Sequence, residues 1–388
     1  MHLLEVTSPQ TTRAFLDLSS KIYRKHPNWI RPLDKDIEQV FDPAQNPNFK
    51  TGTCIRWILQ DNHGHTIGRV AAFVNHKTKN ASEYATGGMG FFECIEDQAA
   101  AFTLFHACQT WLSAQGLEAM DGPINFGERD RWWGLLVDGF TEPNYGMFYH
   151  PPYYQRFFEA YGFQVYFKQY TYKRNVPKPL QLKILDRAAH LEQDPHYSVR
   201  HPSKKNLKKL AQDFIEVYNK AWAGHSGTAE IPLDKAQKLM QSMKPAIVEQ
   251  LLNFAYYQEQ PIGFFIVLPE LNQIFKHLHG KFNLWAKAKF VYHFWRYSQS
   301  KNKKVFGLIF GVVPQFQGKG VEALMMKAAH QPLIDYGAPE IEMNWIGDFN
   351  PKMMLVTRSL GAIICKTHVT YRKIFDPAKP FTRYPIIR

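Results

Sequence analysis

A glycine-containing loop in the last third of the chain carries the residues best suited to bind an anion. Residues 305–313 form an apolar run of strand length, a proline ends it, and a helical pattern begins at Val321. A junction between a strand and a helix presents free backbone N–H groups and the positive end of the helix dipole. Gly318 and Gly320 permit close approach of a ligand, and Lys319 adds a positive charge. The segment therefore predicts a binding site for a phosphate-bearing ligand such as a pyrophosphate.

The spacing of this loop, Gln-x-x-Gly-x-Gly over residues 315–320, distinguishes it from two other phosphate-binding loops. It is neither Gly-x-Gly-x-x-Gly nor a Gly-rich loop that ends in Gly-Lys-Ser/Thr. It resembles the acetyl-CoA motif of the GNAT acyltransferases, which follows a Val-x-Pro strand end. The resemblance implies acetyl-CoA or another acyl-CoA as the cofactor. The residues that it implies for cofactor binding are Val312, Val313, Gln315, Gln317, Gly318, Lys319, Gly320, Val321 and Asn350.

The sequence after the loop continues the resemblance to the GNAT family. A strand is predicted at residues 341–345, a helix opens at Asn350 and closes before Gly361, and a last strand covers 363–374. The chain departs from the family at Thr357, where a tyrosine often protonates the leaving thiolate. Because a threonine hydroxyl is a poor acid, the resemblance alone does not supply this proton donor.

Acyl transfer to an amine requires a group that takes a proton from the ammonium. Glu342 lies on the strand that borders the reaction cleft in the GNAT layout, so it is the predicted base, acting directly or through water. An ion-paired glutamate is the alternative for this residue. Tyr371 is the predicted substitute for the missing acid, with core packing as its alternative. Glu342, Tyr371 and Asn350 form the predicted catalytic set.

A weak internal repeat divides the chain into two similar halves. Tyr23 and Tyr218 lie in two similar amphipathic helices, Gly68 and Gly263 lie in two similar hairpins, and both pairs are 195 positions apart. The repeat predicts an α+β (mixed α/β) fold of two tandem GNAT-like domains, each a mixed, mostly antiparallel sheet flanked by helices. The predicted boundaries are 1–175 for a degenerate first domain, 176–193 for a linker and 194–388 for the domain with the acyl-CoA loop.

The first half lacks the cofactor loop. Alignment of Gly116 with Gly337 places the motif on residues 94–99, which contain no glycine but include Glu96 and Asp97. Carboxylates close to a pyrophosphate repel it. The first half is therefore predicted to have lost cofactor binding, and to serve a structural role or form part of the acceptor pocket.

A charged and aromatic stretch of the first half, residues 121–134, is a candidate binding loop. Glu128, Arg129 and Asp130 are followed closely by the paired tryptophans Trp132 and Trp133. Long loops with such residues often bind ligands, and this one is suited to recognising an amino or amide group. A solvated loop anchored by its aromatic residues is the alternative.

The charge balance favours anionic partners. The 388 residues include 47 Lys+Arg and 34 Asp+Glu, a net charge of +13. The segment 272–304 concentrates basic and aromatic residues, which suits either single-stranded nucleic acid or an amphipathic helix with a solvated basic face. His277 and His279 lack further nearby ligands, so no metal site is predicted.

The chain lacks the sequence features of a membrane-spanning or secreted protein. It has no apolar run of roughly 20 residues, its first residues lack the layout of a signal peptide, and its four cysteines have no paired spacing. These features predict a soluble cytoplasmic protein without a membrane span.

Together these features predict an N-acyltransferase that uses an acyl-CoA and acts on a small-molecule or peptide amine. Two alternatives remain. A tandem GNAT-like protein that transfers amino acids from charged tRNA would use the basic charge, although the intact loop favours CoA over nucleic acid. A GNAT-fold protein that binds acyl-CoA without turnover would be consistent with Thr357.

Overall fold

In the computed structural model, which describes residues 1–222 and 230–387, the order β-α-α-β-β-β-α-β-α-β occurs twice along the chain, with one additional strand in the first half and three additional helices in the second. The first half comprises β1 (His2–Glu5), α1 (Pro9–Ile22), α2 (Asp34–Val40), β2 (Gly52–Gln60), β3 (Thr66–Asn75), β4 (Thr86–Cys94), α3 (Gln98–Ser113), β5 (Ala119–Gly122), β6 (Leu135–Asp138), α4 (Tyr153–Ala160) and β7 (Gln164–Asn175). The second half comprises α5 (Leu182–Glu192), β8 (Tyr197–Arg200), α6 (Leu207–Trp222), α7 (Leu233–Met243), β9 (Leu252–Tyr257), β10 (Gln260–Pro269), α8 (Asn272–Phe275), α9 (Leu284–Gln299), β11 (Val305–Val312), α10 (Val321–Tyr336), β12 (Glu340–Gly347), α11 (Pro351–Ser359) and β13 (Ile363–Ile374).

The strands of the described residues join into one 13-stranded sheet, in the order β1-β2-β3-β4-β5-β13-β7-β12-β11-β10-β9-β8, with β6 paired to β13 beside this path. Within these residues the pairs β4–β5 and β11–β12 are parallel and the other pairs are antiparallel. The predicted mixed, mostly antiparallel sheet with flanking helices is confirmed.

The last strands of the two halves, β7 and β13, lie next to each other in the middle of the sheet, and each pairs with strands of the other half. β13 pairs with β5 of the first half, as in Tyr371↔Gly122, and also with β7. β7 pairs in turn with β12 of the second half, as in Tyr172↔Met343. The two halves therefore exchange their last strands. Counted inward from either edge of the sheet, equivalent strands of the two halves follow in the same order.

Helices on both faces of the sheet bury its apolar residues. In the second half, α10 and α5 share one core, in which Ile184 of α5 and Met325 of α10 are buried, and α6 and α7 share another with Phe264 of β10. The segment predicted as a linker, 176–193, thus contains a packed helix. In the first half α3 and α4 cover one face, and α1 covers the other, beginning at the N-cap Ser8.

Candidate functional site

β11 and β12 separate beside the predicted cofactor loop. They are paired only between residues 305–307 and 341–343, although β11 continues to Val312 and β12 to Gly347. A bulge at Leu308 interrupts the register of β11 against β10 at the point where the strands part. The sheet therefore opens into a cleft, and the loop between β11 and α10 follows one of its two strands at the wide end.

The backbone of the loop has the conformation that its glycines predict. Gly318 and Gly320 have φ values of +75° and +100°, in the left-handed region, and a Cβ on Gly318 would meet no atom within 4 Å. The N–H groups of residues 319–323 have no acceptor within the described parts of the chain. These amides lie at the start of the 16-residue helix α10, a position that suits an anion, and the adjacent Gly318 N–H donates to Glu322 Oε1 at 3.3 Å.

The other predicted cofactor residues divide into exposed and buried side chains. Gln315, Gln317 and Lys319 are exposed, and Gln317 Nε2 donates to the Val312 carbonyl at 2.9 Å. The side chains of Val312, Val313 and Val321 are buried in the core of the second half, so these three residues offer only backbone groups to a ligand.

Asn350 and Thr357 both have structural contacts in α11. Asn350 is the N-cap of this helix, where its Oδ1 accepts a hydrogen bond from the Met353 N–H at 3.1 Å. Its position directly after β12 places it at the wide end of the cleft. Thr357 is fully buried and its hydroxyl donates to the Met353 carbonyl at 2.8 Å, which leaves it without a free proton for a thiolate.

Glu342 lies at the narrow end of the cleft, where it is 6% exposed and held by donors from three segments. Lys366 Nζ lies 2.6 Å from one of its oxygens, Asn144 Nδ2 donates at 2.8 Å, and Lys304 Nζ lies at 3.4 Å. Burial raises the pKa of Glu342, but the two ammonium groups and the hydrogen bonds outweigh burial and hold the pKa below its usual value. A carboxylate in these surroundings is a weak base.

The structure does not bring Tyr371 to the cleft. Its side chain is 1% exposed in the core of the first half, because β13 crosses into that half of the sheet. Its hydroxyl donates to Glu159 at 3.1 Å, and burial, followed by the charge of Glu159, raises its pKa. Tyr371 therefore has the surroundings of a core tyrosine, the alternative that its sequence also allows.

The equivalent junction of the first half is built differently. Three residues, 95–97, connect β4 to α3, and Asp97 Oδ1 accepts a hydrogen bond from Ala100 N at 2.9 Å as the N-cap. The nearby Glu93 is buried between the hydroxyls of Tyr23 and Tyr154, at 2.7 and 2.8 Å. A carboxylate thus occupies the helix terminus, where an anionic ligand would have to bind.

The predicted binding loop of the first half reaches the second half. Trp345 Nε1, on β12 just past the point where the strands part, donates to the Arg129 carbonyl at 3.2 Å. The pKa of Tyr218 on α6 is raised by burial and by the carboxylates of Glu128 and Asp130, which are themselves exposed. The loop therefore brings the Arg129 carbonyl to β12 and two carboxylates near Tyr218 of α6, which packs in a different core from α10.

Sequence reasoning missed two residues of this site. Asn144 contacts Glu342 from a loop nearly 200 positions earlier, and Lys366 does so from the exchanged strand β13. Neither residue stands in a recognisable motif. Their role depends on strand pairing, for which the local sequence gives no signal.

The chain resembles known proteins over nearly its whole length. No known protein-family profile matches the sequence. It is 25% identical over 395 residues to the protein named bacterial ceramide synthase of Caulobacter vibrioides, covering 96% of this chain and 97% of that protein. It is 23% identical over 370 residues to protein YghO of Escherichia coli, covering 93% and 92%.

Among solved structures, the tandem GNAT protein from the clavulanic acid biosynthesis pathway superposes with a TM-score of 0.53 at 11% identity, over 97% of this chain and 99% of that one. This chain has the tandem GNAT fold. A GCN5-related glucosamine N-acetyltransferase region of a fungal β-N-acetylglucosaminidase also matches, with a TM-score of 0.56 at 11% identity, over 96% of this chain and 38% of that one. In the tandem GNAT fold described above, the second half carries the open glycine loop and the first half carries a capped helix.

Proposed function

We propose that this protein is an acyl-CoA-dependent N-acyltransferase that binds its acyl-CoA in the second half, at residues 312–323 and Asn350. The observation that carries the proposal is the group of free backbone amides at residues 319–323, which includes the charged residue Lys319 and lies next to the point where β11 and β12 separate. This group of amides fits a pyrophosphate, because a helix N-terminus and a lysine together favour negative charge. The separated strands offer unpaired backbone groups to the arm that joins the pyrophosphate to the thiol.

The bound acyl-CoA supplies an acyl group activated as a thioester. The amine nitrogen displaces CoA at the acyl carbon, so that an amide forms as the C–S bond breaks and the proton lost by the amine ends on the departing thiolate. The chain's own residues have to hold the amine and accept that proton on its way. We assign these roles to Glu128 and Asp130, because both carboxylates are exposed near Tyr218 of α6, and we take this side of the cleft as the acceptor side. Glu342 acquires a supporting role in this proposal, since its pKa is low and its oxygens are occupied. The first domain, residues 1–175, thus contributes to the acceptor pocket and leaves the cofactor to the domain at 194–388.

A long-chain amine is the acceptor that we propose. The relative from Caulobacter vibrioides is named a ceramide synthase, and a ceramide is an amide of a fatty acid with a long-chain amino alcohol. The alignment covers 96% of this chain and 97% of that protein. A fatty acyl-CoA is the matching donor, with acetyl-CoA as the comparison.

The test is calorimetric titration of palmitoyl-CoA, acetyl-CoA and CoA into the protein and into Gly318→Asp. Gly64→Asp is a matched control, since Gly64 also has a positive φ, +79°, and open space around a Cβ. A carboxylate about 4 Å from a phosphate costs roughly 4 kcal/mol near a surface, so we expect Gly318→Asp to weaken binding by a factor on the order of 100 or more. Equal affinity of the Gly318→Asp and Gly64→Asp variants for CoA would show that the loop is not part of the binding site.

Acyl transfer is followed by mass spectrometry with sphinganine and with a panel of small amines. Amide product from palmitoyl-CoA and sphinganine, lost in Gly318→Asp, is the expected result. Saturable binding of CoA without product from any amine would instead identify a binding protein without turnover, which is the reading that Thr357 favours.

A further inference from the structure

Helix α9 exposes a set of large apolar side chains that no part of the described chain covers. Leu284 and Trp285 are each 82% exposed and Trp295 is 59% exposed, with Val291 and Tyr292 also exposed. A well-folded surface seldom leaves several large apolar residues open on one helix without a partner. These five residues are called the apolar stripe below.

The stripe occupies one side of α9. With about 100° between successive residues, its members lie within an arc of about 120°. The opposite side faces the protein, where Ala286 is buried and Phe290 packs in a small cluster with Leu33 and Phe275. The helix is therefore anchored to the fold by one face and presents the other outward.

Basic residues border the stripe on both sides. On the same projection, Lys287 lies at one edge of the stripe, and Lys289 and Arg296 lie at the other. All three are exposed. The surrounding segment, residues 272–304, contains eight Lys or Arg and no Asp or Glu. An apolar stripe between rows of cations is the pattern of a helix that lies in the interface of a lipid membrane.

We propose that α9 binds the surface of an anionic lipid membrane, with the apolar stripe among the acyl chains and the cations at the headgroups. The helix has 16 residues, and among the described residues no helix is long and apolar enough to cross a membrane, so α9 lies in the plane of the surface. Leu284 and Val291 distinguish a membrane from nucleic acid, because aliphatic side chains have no base-stacking surface. The proposal stands on α9 alone and does not depend on the enzymatic activity.

The test is co-sedimentation of the full chain with vesicles of phosphatidylcholine alone and of phosphatidylcholine with an equal amount of phosphatidylglycerol, without acyl-CoA. We expect binding to the mixed vesicles and a blue shift of tryptophan emission. Trp285→Ser/Trp295→Ser should weaken the partition by roughly tenfold or more, because both rings leave the acyl-chain region. Leu182→Ser/Ile386→Ser removes two exposed apolar residues outside α9, and should bind as the wild type does.

A second variant tests the electrostatic part. Each lysine near an anionic surface contributes about 1 kcal/mol, so Lys287→Ala/Lys289→Ala should weaken binding to the mixed vesicles by roughly tenfold or more and should leave binding to the neutral vesicles nearly unchanged. Three results would each overturn the proposal. The first is vesicle binding that the tryptophan variant retains. The second is a dimer in sedimentation velocity that forms through the apolar stripe, because a second copy of the chain would then cover it. The third is binding to a uridine oligonucleotide but not to vesicles.

Discussion

The buried ion pair between Glu342 and Lys366 links β12 to the exchanged strand β13, and its removal tests both the strand exchange and the role of Glu342. Lys366 lies on β13, which crosses into the first half, and Glu342 lies on β12 of the second. The two side chains are 3% and 7% exposed, and their charged atoms are 2.6 Å apart. The informative variants are Lys366→Met, Glu342→Leu and the double variant.

The size of the effect follows from which charge is left alone. Removing one partner of a buried pair costs about 3–5 kcal/mol, because the other charge stays buried without compensation. Lys304, at 3.4 Å from Glu342, lowers this cost for Lys366→Met, so we expect about 3 kcal/mol. The double variant should cost less than either single variant, since two apolar residues of similar volume replace the pair and Asn144 keeps the Asn344 oxygen at 2.8 Å.

The assay is urea denaturation followed by circular dichroism at neutral and acidic pH. The folded-state pKa of Glu342 is lowered, so its contribution to stability is present above its unfolded value of about 4.3 and is lost as the pH falls through the lower folded value. The wild type should therefore lose this contribution under acidic conditions. The double variant should show a flatter dependence over the same range.

Two results would refute this reasoning. Additive costs of the two single variants would show that the charges do not interact in the folded protein. A folded Glu342→Gln variant that loses acyl transfer by a factor of about 100 or more, with unchanged affinity for acyl-CoA, would show that Glu342 acts as the base despite its occupied oxygens.

Three further predictions concern the loop, the first half and the exchange. Gly320→Ala should lower stability by about 1–2 kcal/mol in thermal denaturation and weaken CoA binding, because φ is +100° there; an unchanged melting temperature would contradict this. Asp97→Ala should cost about 1 kcal/mol through the loss of an N-cap, without affecting the CoA affinity measured by calorimetry; weaker CoA binding would contradict it. Fragments 1–175 and 176–388, expressed together, should purify as one complex because they share the pairs β13–β5, β13–β7 and β7–β12; separate monomers would contradict it.

Much of the local structure could be read from the sequence. The strand predicted at 363–374 is β13 as observed, and the loop at 315–320 lies between a strand and a helix as its glycines indicate. These features depend on short-range properties, namely apolar runs of strand length, proline at a strand end and glycine at positive φ. The lack of glycine in the first-half junction is also visible in the sequence, and in the structure Asp97 caps helix α3 at this junction.

The residues around the cleft could not be derived in the same way. Glu342 was visible as a carboxylate on a strand, but its low pKa comes from Lys366, Lys304 and Asn144, which are distant in sequence. Tyr371 is predicted as the substitute acid, with core packing as its alternative, and strand exchange carries it into the core of the first half.

The sequence by itself therefore determined the tandem α/β organisation, the half that carries the open glycine loop and the basic, aromatic character of residues 272–304. Those properties depend on periodicity, composition and turn residues, which act over a few positions. The tertiary structure decided which last strand completes which half, which charges surround Glu342, and which face of α9 stays exposed. Strand pairing and helix packing join segments hundreds of residues apart, and each such choice depends on the burial of whole surfaces, which no local pattern encodes.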